Sequence, residues 1–234
     1  MVNCRRLKRK NICILILFTL MVTIFIFHVY LIPSFTQSYN YDCYLDKKSL
    51  KTLEFMLLTI LEVFEKHNVE HWIDFGTLLG AFRYRGIIPW DGDGDVSFIR
   101  NDPNIQVALS ELKSRGIEAN TMIAKYDGMT IDFMRWYKNE GYYKGEKTIL
   151  LYKYYPPWVE DNIIIKINHK LDSFPYKWIG KRTKLPFLST KAYAPVEYSK
   201  LIKHRYSFTS WISMPYKWKC YVPCFLYNKD PSCH

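Results

Sequence analysis

The feature that most limits how this chain can fold is an uncharged segment of 21 residues near its N-terminus. Residues 12–32 contain no Asp, Glu, Lys or Arg. At about 1.5 Å of rise per residue, a helix of this length crosses a hydrocarbon core of about 30 Å and satisfies its own backbone polar groups in lipid. The sequence therefore predicts one transmembrane signal-anchor helix over residues 12–32.

The charges beside this segment predict its orientation. Residues 1–11 carry five basic side chains and no acidic one, and basic flanks tend to stay on the cytosolic side of a membrane. We therefore expect residues 1–11 to form a cytosolic tail, residues 33–44 a stalk, and residues 45–234 a domain on the non-cytosolic side. A cleaved signal peptide fits less well, because its apolar core would be only about 7–15 residues long.

The chain beyond the anchor is long enough for one domain, and it is basic. It comprises 202 residues, which is enough for a sizeable core. The whole chain carries a formal net charge of +11, of which the tail supplies +5, so +6 remains for the domain. This charge suits phosphate-bearing ligands, anionic lipid headgroups or acidic glycans, whereas nucleic acid is not an expected partner in a secretory compartment.

Four cysteines follow the anchor, and two interpretations of them remain open. In an oxidising compartment an even number of cysteines indicates disulfides, here two, with three possible pairings of Cys43, Cys220, Cys224 and Cys233. Alternatively, the last three of these could bind zinc together with His234, although their spacing is irregular.

The periodicity of apolar residues predicts interleaved helices and strands in the domain. We expect helices over residues 49–67, from Thr77 to a stop at Gly86, and over residues 103–115 and 197–204. We expect strands over residues 70–75, 118–125, 129–137, 149–155 and 162–167, with a turn at Asp127-Gly128. This order predicts an α+β or mixed α/β domain.

Three aspartates at alternating positions form the most informative motif. Asp91, Asp93 and Asp95 lie in the sequence WDGDGDVSF. Side chains two apart on a strand point the same way, so three carboxylates on one face would repel each other unless a cation or basic group lies between them. A hard divalent cation, which prefers oxygen ligands, fits this arrangement. The apolar flanking residues argue against a solvated acidic turn.

Two other kinds of cation-dependent protein also carry closely spaced aspartates. An EF-hand loop requires Gly at its sixth position and usually Glu at its twelfth, but Val96 and Asp102 occupy these positions. Nucleotide-sugar glycosyltransferases with the same membrane topology also carry Asp-x-Asp motifs. The three aspartates alone do not distinguish that class from others.

The segment before the aspartates narrows the choice between these classes of protein. It reads HWIDFGTLLGAFR over residues 71–83, and then GIIPW leads into the aspartates. A glycine followed by a hydroxyl residue at the start of a helix can offer N–H and O–H groups to a phosphate. The string resembles the LicD family, and within it the fukutin-related branch, which carries Gly-Thr/Ser-Leu-Leu-Gly-Ala-x-Arg and then Ile-Pro-Trp-Asp-x-Asp-x-Asp. The match extends over about thirty residues, so it is far more specific than a lone glycine motif.

The resemblance implies both a fold and an activity. Members of the family have a nucleotidyltransferase-like domain, here expected to contain a mixed β-sheet. They move a phospho-alcohol, such as phosphocholine or ribitol phosphate, from a CDP-linked donor to a sugar. The resemblance thus implies a single-pass type II membrane enzyme of the Golgi or ER, with its catalytic domain in the lumen. Its acceptor would be a protein- or lipid-linked glycan, and its cofactor Mg²⁺ or Mn²⁺.

The resemblance also implies roles for individual carboxylates. Asp93 and Asp95 would be metal ligands, and Asp132, on a later neighbouring strand, would be the third. Asp91 would be a further catalytic residue that acts as base on the acceptor hydroxyl, supports the metal ligands or braces the loop.

Three residues are implied as donor-phosphate ligands, and two others depart from the family pattern. Gly76 and Thr77 would hold a phosphate, and Arg83 would pair with its oxygens. Gly92 and Gly94 stand where the family usually has an acidic or aromatic residue and an aliphatic one. Because glycines loosen a strand, a catalytically weak accessory or glycan-binding paralogue remains an alternative, as does a Golgi glycosyltransferase.

Overall fold

The computed structural model describes residues 2–27, 45–88, 91–156, 162, 167 and 171–206. The chain divides into two compact units. One contains helix α1 (Val2–Ile26), and the other, from Tyr44 to Met214, contains the folded domain.

Helix α1 covers most of the segment predicted as the membrane anchor. Its apolar side chains from Ile12 onwards are exposed, and Cys13 is exposed and free. Within the described residues, no helix combines the length and the apolar character needed to cross a membrane. The predicted anchor continues through residues 28–32, which lie outside the described residues, as do the predicted stalk and the four cysteines discussed above.

The described part of the folded domain contains four more helices and nine strands. The helices are α2 (Lys47–Lys66), α3 (Phe75–Tyr84), α4 (Ile105–Ser114) and α5 (Tyr198–Arg205). The strands are β1 (His71–Ile73), β2 (Asp93–Ile99), β3 (Glu118–Ala119), β4 (Ile123–Tyr126), β5 (Met129–Tyr143), β6 (Glu146–Lys153), β7 (Phe174–Pro175), β8 (Thr183–Phe187) and β9 (Thr190–Ala194). This composition confirms the predicted mixture of α and β elements.

Seven strands form one mixed sheet around the long strand β5. The order β1-β2-β5-β4-β3 is extended by β6, which pairs with the second half of β5, and by β7 beside β6. Strands β2 and β5 run parallel, whereas the other pairs in this sheet are antiparallel. The predicted turn at Asp127-Gly128 joins β4 to β5, and both residues have positive φ angles, as a two-residue hairpin loop requires.

Helix α2 covers one face of this sheet. Asp46 caps the helix by accepting hydrogen bonds from the amides of Lys48 and Ser49. The helix then buries an apolar stripe whose Phe64 ring packs against Phe98 of β2 and Phe133 of β5. The other face of β2 is left for polar side chains.

Gly94 belongs to the face of β2 that meets α2. A Cβ atom there would lie 2.7 Å from Ile131 Cδ1 and 3.0 Å from a methyl carbon of Leu57. The strand continues unbroken through Gly94, which pairs with Ile131. A larger side chain at this position would therefore push α2 away from the sheet. At Gly92 an added Cβ would meet no atom within 4 Å.

Several boundaries differ from the predicted ones. Helix α3 begins at Phe75 rather than Thr77, because Asp74 accepts a hydrogen bond from the Phe75 amide as its N-cap. Strand β5 extends to Tyr143, beyond the predicted end at residue 137. The β8–β9 hairpin was not predicted. Of the strand predicted over residues 162–167, residues 163–166 lie outside the described residues.

Candidate functional site

The parallel pairing of β2 and β5 brings together aspartates that are distant in sequence. Asp95 pairs directly with Asp132, and Asp93 pairs with Thr130. Because side chains alternate along a strand, Asp93, Asp95 and Asp132 share the sheet face opposite to α2. We call these three residues, together with Asp91 in the loop before β2, the carboxylate cluster.

The first turn of α3 is bonded to this cluster. The Gly76 amide donates to Asp95 Oδ2 over 2.9 Å, and the Asp95 amide donates to Thr77 Oγ1 over 2.7 Å. A Cβ atom on Gly76 would lie 2.5 Å from Asp91 Oδ2 and 3.2 Å from Asp95 Oδ2. Glycine is therefore needed here, because any side chain would displace the carboxylates from the start of the helix.

The pKa values of Asp91, Asp95 and Asp132 are raised. Burial, followed by the charge of Asp93 and a hydrogen bond with it, raises the pKa of Asp91 to about 7. Burial, followed by the charges of Asp93 and Asp74, raises the pKa of Asp95 to about 8. Burial and Asp93 also raise the pKa of Asp132. Each shift reflects the cost of holding several negative charges close together away from water.

Next to the cluster lies a carboxylate, that of Asp74, which has a basic partner within the chain. Asp74 accepts hydrogen bonds from Trp72 Nε1 at 3.1 Å, from Ser97 Oγ at 2.6 Å and from Arg205 Nη2 at 3.1 Å. Ser97 Oγ in turn accepts a hydrogen bond from Trp136 Nε1 at 2.9 Å. We call these five residues the Asp74 network. The side chains of Asp74 and Arg205 are 0% and 5% exposed, so this ion pair is buried.

Phe75, the first residue of α3, directly follows Asp74 of the network. It has a φ angle of 39°, which is unusual for a bulky residue and marks local backbone strain. The Arg205 guanidinium stacks over the Phe75 ring at 3.7 Å from its centroid. This contact and the ion pair with Asp74 hold the junction of β1 and α3, and thereby the first turn of α3 under the carboxylate cluster.

A basic side chain, that of Lys153, lies near the cluster. Lys153 is opposite Trp136 in the β5–β6 ladder, and its positive charge acts to lower the pKa of Asp132. Its amino group lies 5.1 Å from the ring centroid of Phe75 and 5.5 Å from that of Tyr155. Among the described residues, this amino group has no hydrogen-bond or ion-pair partner.

Tyr206, just after α5, also faces the cluster. Burial and then the negative charges of Asp95, Asp74 and Asp91 raise the pKa of its phenol above the usual value. The phenol is therefore neutral at any physiological pH and is available as a hydrogen-bond donor near these carboxylates.

The structure brings some of the predicted site residues together and leaves others apart. The four aspartates, Gly76 and Thr77 meet at one place. Arg83 lies in the last turn of α3, at the opposite end of the helix from Gly76, and is half-buried. Pro89 and Trp90 lie outside the described residues.

Sequence reasoning missed four residues around the cluster, which are Asp74, Lys153, Arg205 and Tyr206. Asp74 had a usable signal, because an aspartate directly before a helix start is a typical N-cap. The other three come from β6 and the end of α5, and no local pattern links them to the aspartate motif.

The cluster has the chemistry expected of a divalent-cation site. Among the described residues, no three Asp, Glu, His or Cys side chains already form a metal-binding arrangement. The donors nevertheless suit a hard cation, because Asp93, Asp95 and Asp132 present carboxylate oxygens on one sheet face, and the charge of Asp93 raises the pKa values of Asp95 and Asp132. The approach permitted by Gly76 gathers Asp91 and Asp95 at one point.

Comparison with known proteins identifies the family. Residues 68–197 match the LicD/FKTN/FKRP nucleotidyltransferase domain. The chain is 27% identical over 156 residues to the human ribitol 5-phosphate transferase FKRP, covering 63% of this chain and 29% of FKRP. It is 37% identical over 60 residues to the lipopolysaccharide cholinephosphotransferase LicD of Haemophilus influenzae, covering 24% of this chain and 23% of that protein.

An uncharacterised protein of Rickettsia typhi is 33% identical over 114 residues, covering 47% of this chain and 35% of that protein. The chain thus spans about a third or less of the length of each of these relatives. The domain match covers more than half of the chain and includes every residue of the carboxylate cluster. The protein belongs to the LicD/FKTN/FKRP nucleotidyltransferase domain family.

Proposed function

We propose that this protein is a phosphotransferase. It moves a phospho-alcohol, such as phosphocholine or ribitol phosphate, from a CDP-linked donor to a protein- or lipid-linked glycan. FKRP is named as a ribitol 5-phosphate transferase and LicD as a cholinephosphotransferase, and both names describe transfer of a phosphorus-containing group.

One observation carries this proposal. Asp95 and Asp132 are direct partners on parallel strands, Asp93 shares their face, and the N-terminus of α3 lies against them. Phosphoryl transfer depends mainly on positioning and on compensation of charge. A group of carboxylates beside a helix N-terminus is suited to this task when a divalent cation joins it.

In this proposal Asp93, Asp95 and Asp132 bind Mg²⁺ or Mn²⁺. When bound, the ion would supply positive charge that offsets the negative charge on the donor phosphates and the charge that develops during transfer. Asp91, whose Oδ2 lies beside the Gly76 backbone, accepts the proton of the acceptor hydroxyl. Lys153, with its amino group near Asp132 and otherwise unpaired among the described residues, contacts a donor phosphate oxygen.

The donor-phosphate role of Gly76, Thr77 and Arg83 stays a prediction. The Gly76 amide donates to the Asp95 carboxylate and the Thr77 hydroxyl accepts from the Asp95 amide, so their immediate effect is to fix the position of Asp95. The Thr77 hydroxyl accepts from Asp95 and retains its own hydrogen for a further acceptor. Arg83, at the far end of α3, would need its long side chain to reach back along the helix.

We also propose that the protein is a single-pass type II protein of the Golgi or ER membrane, with the catalytic domain in the lumen. The uncharged segment from residue 12 to residue 32 and the five basic residues before it support this topology. Sequencing the N-terminus of the cell-expressed protein tests it. A sequence that starts near Ser34 would show a cleaved signal peptide instead.

The activity is tested by CMP release. The full-length protein, in a neutral detergent, is given CDP-choline, CDP-ribitol or CDP-glycerol with Mg²⁺ or Mn²⁺, and then with EDTA. We expect one donor to yield CMP in a metal-dependent manner. Asp93→Asn and Asp95→Asn should abolish CMP release because each removes a metal ligand.

Asp127→Asn is the matched control. It makes the same chemical change at an exposed turn, where Asp127 pairs with Lys48, and asparagine tolerates its positive φ angle. Activity should therefore be unchanged. Full activity in both Asp93→Asn and Asp95→Asn would refute the metal assignment. Release of a nucleoside diphosphate from a UDP- or GDP-sugar would identify a glycosyltransferase, and a folded protein with no turnover of any donor would identify an accessory role.

A further inference from the structure

A second charged group lies on the opposite face of the central sheet. Arg135 is three residues after Asp132 on β5, so its side chain points to the other face. Tyr154 is opposite Arg135 across the β5–β6 pair, and Arg100 follows the end of β2. We call Arg100, Arg135 and Tyr154 the arginine pair and its ring.

Main-chain hydrogen bonds fix the positions of these three residues. The Arg100 amide donates to the Trp136 carbonyl over 2.8 Å, and the Tyr154 amide donates to the Arg135 carbonyl over 2.7 Å. The group is therefore held by the ladders at the junction of β2, β5 and β6. A site built on strands is more rigid than one built on a free loop.

Both guanidinium groups lie over the same aromatic ring. The Arg100 guanidinium carbon is 3.8 Å from the centroid of Tyr154, and that of Arg135 is 4.7 Å from it. The two carbons are thus separated by no more than the sum of these distances. This is within the screening length of about 10 Å at 0.1 M salt, so the two positive charges repel each other. Burial, with a smaller contribution from Arg100, lowers the pKa of Arg135 from its usual value.

No acidic group within the described ranges compensates this charge. Neither guanidinium forms a hydrogen bond or ion pair with a described residue. Asp102, two residues after Arg100, and Glu70, whose carbonyl accepts a hydrogen bond from the Ile99 amide, are engaged elsewhere. Asp102 accepts hydrogen bonds from the amides of Glu70 and Asn104, and Glu70 accepts one from the hydroxyl of Tyr176.

We propose that the arginine pair and its ring bind a phosphate monoester group. The two guanidinium groups supply two positive charges and several N–H donors directed from a rigid platform. A phosphate monoester carries close to two negative charges near neutral pH and has three acceptor oxygens, which matches this pair. A carboxylate or a phosphodiester brings only one negative charge. This site faces away from the carboxylate cluster and does not depend on the proposed transferase activity.

A calorimetric titration of the full-length protein with inorganic phosphate tests the proposal. The protein is kept metal-free with EDTA, so that phosphate has no cation to bind at the carboxylate cluster. We expect one saturable site, and Arg100→Gln should weaken phosphate binding by at least about tenfold, since it removes a positive charge and its charge-assisted hydrogen bonds. Arg100 is exposed, so this variant should still melt cooperatively.

Arg115→Gln is the matched control, because it removes one positive charge from an arginine that is already paired with Glu62 and Glu111. It should change phosphate affinity by less than about twofold, as expected for an arginine whose charge two carboxylates already compensate. Equal weakening by Arg100→Gln and Arg115→Gln, or no saturable binding by the wild type, would overturn the proposal.

Two further comparisons identify the source of the phosphate group and the role of the ring. Glucose 6-phosphate, a monoester, should bind at least as well as inorganic phosphate, and glycerophosphoglycerol, a diester like a lipid headgroup, should bind more weakly. Tyr154→Phe should retain binding because it keeps the ring, whereas Tyr154→Leu should weaken it. Tighter binding of the diester would overturn the monoester assignment in favour of a lipid headgroup.

Discussion

Two acidic regions, the buried Asp74 network and the half-buried carboxylate cluster, lie next to each other, and they differ in how their charge is compensated. In the Asp74 network, the carboxylate receives donors from Trp72, Ser97 and Arg205, and its basic partner is supplied by the chain itself. In the carboxylate cluster, Asp95 receives one amide hydrogen bond and is otherwise near groups of its own sign. The first arrangement stabilises the fold, whereas the second leaves negative charge for a cation from outside.

The largest effect on the free energy of unfolding should follow from removing the Asp74 carboxylate. Asp74→Ala would leave Arg205 buried without its counter-ion, and we expect a loss of about 3–5 kcal/mol in the free energy of unfolding. Urea unfolding of the full-length protein measures this loss. The double variant Asp74→Ala/Arg205→Met should recover part of it, because the isolated charge is gone. A loss below about 1 kcal/mol in the single variant would remove the distinction between the two regions.

The next effect concerns the uncompensated region. Mg²⁺ or Mn²⁺ at about one hundred times its dissociation constant should stabilise the protein by about 2.7 kcal/mol, since it binds only the folded state. Thermal unfolding with and without the cation gives this value. Asp95→Asn should lose most of the gain, whereas Asp127→Asn should keep it. Equal stabilisation of both variants would exclude Asp95 as a ligand.

A smaller effect should result from Ser97→Ala, which separates Asp74 from Trp136. The change leaves a buried carboxylate oxygen and a buried indole N–H each with one partner fewer, and we expect a loss of about 1–2 kcal/mol. Chemical denaturation measures it. Ser110→Ala, on the exposed surface of α4, is the control and should be close to neutral. Similar losses in both variants would show that the Asp74 network adds no particular stability.

The smallest effect should be the pH dependence of the metal-free protein. Asp91 and Asp95 have folded-state pKa values of about 7 and about 8, above the ordinary value of 3.8. Between pH 6.5 and 8.5 they release protons in the folded state, whereas the unfolded chain is already ionised. The folded state therefore binds more protons, and stability falls as pH rises. We expect Tm to fall by a few degrees over this range.

The pH range of this prediction starts at 6.5 because His71 also changes the stability below that pH. Burial lowers the pKa of His71 to about 4 from an ordinary value of 6.5. The unfolded chain takes up this proton first, so His71 reduces stability as pH falls below about 6.5 and would mask the effect of the aspartates. Asp95→Asn should flatten the profile above pH 6.5. An unchanged slope in that variant would show that Asp95 does not titrate in this range.

The sequence predicted the parts of the fold that depend on local pattern. The apolar periodicity of α2 and the Asp127-Gly128 turn were predicted correctly because both signals lie within a few residues. The β8–β9 hairpin was missed, since Pro186 argues against a strand, although proline is tolerated at a sheet edge. The hairpin forms a separate two-stranded sheet with few local strand signals.

The proximity of the candidate site residues was predicted where a motif marks them and missed where only the fold brings residues together. The placement of Asp132 beside Asp95 followed from the family resemblance, and the parallel register brings the two together. Arg205 is separated from Asp74 by 131 positions, so no spacing rule could link them. The glycine at position 94, regarded as a possible weakness of the strand, fits closely against Leu57 and Ile131.

The ion pair between Asp74 and Arg205 has a consequence for protein synthesis. Chains emerge from the ribosome at about 5–20 residues per second, N-terminus first. Asp74, near the start of the domain, is therefore synthesised well before Arg205, which lies 131 positions later and close to the end of the described domain. Until α5 has emerged, the first turn of α3 lacks its counter-ion. A transcript or nascent chain that stops before residue 205 would thus yield a chain that retains the complete aspartate motif. This chain would lack the ion pair that stabilises the first turn of α3 next to that motif.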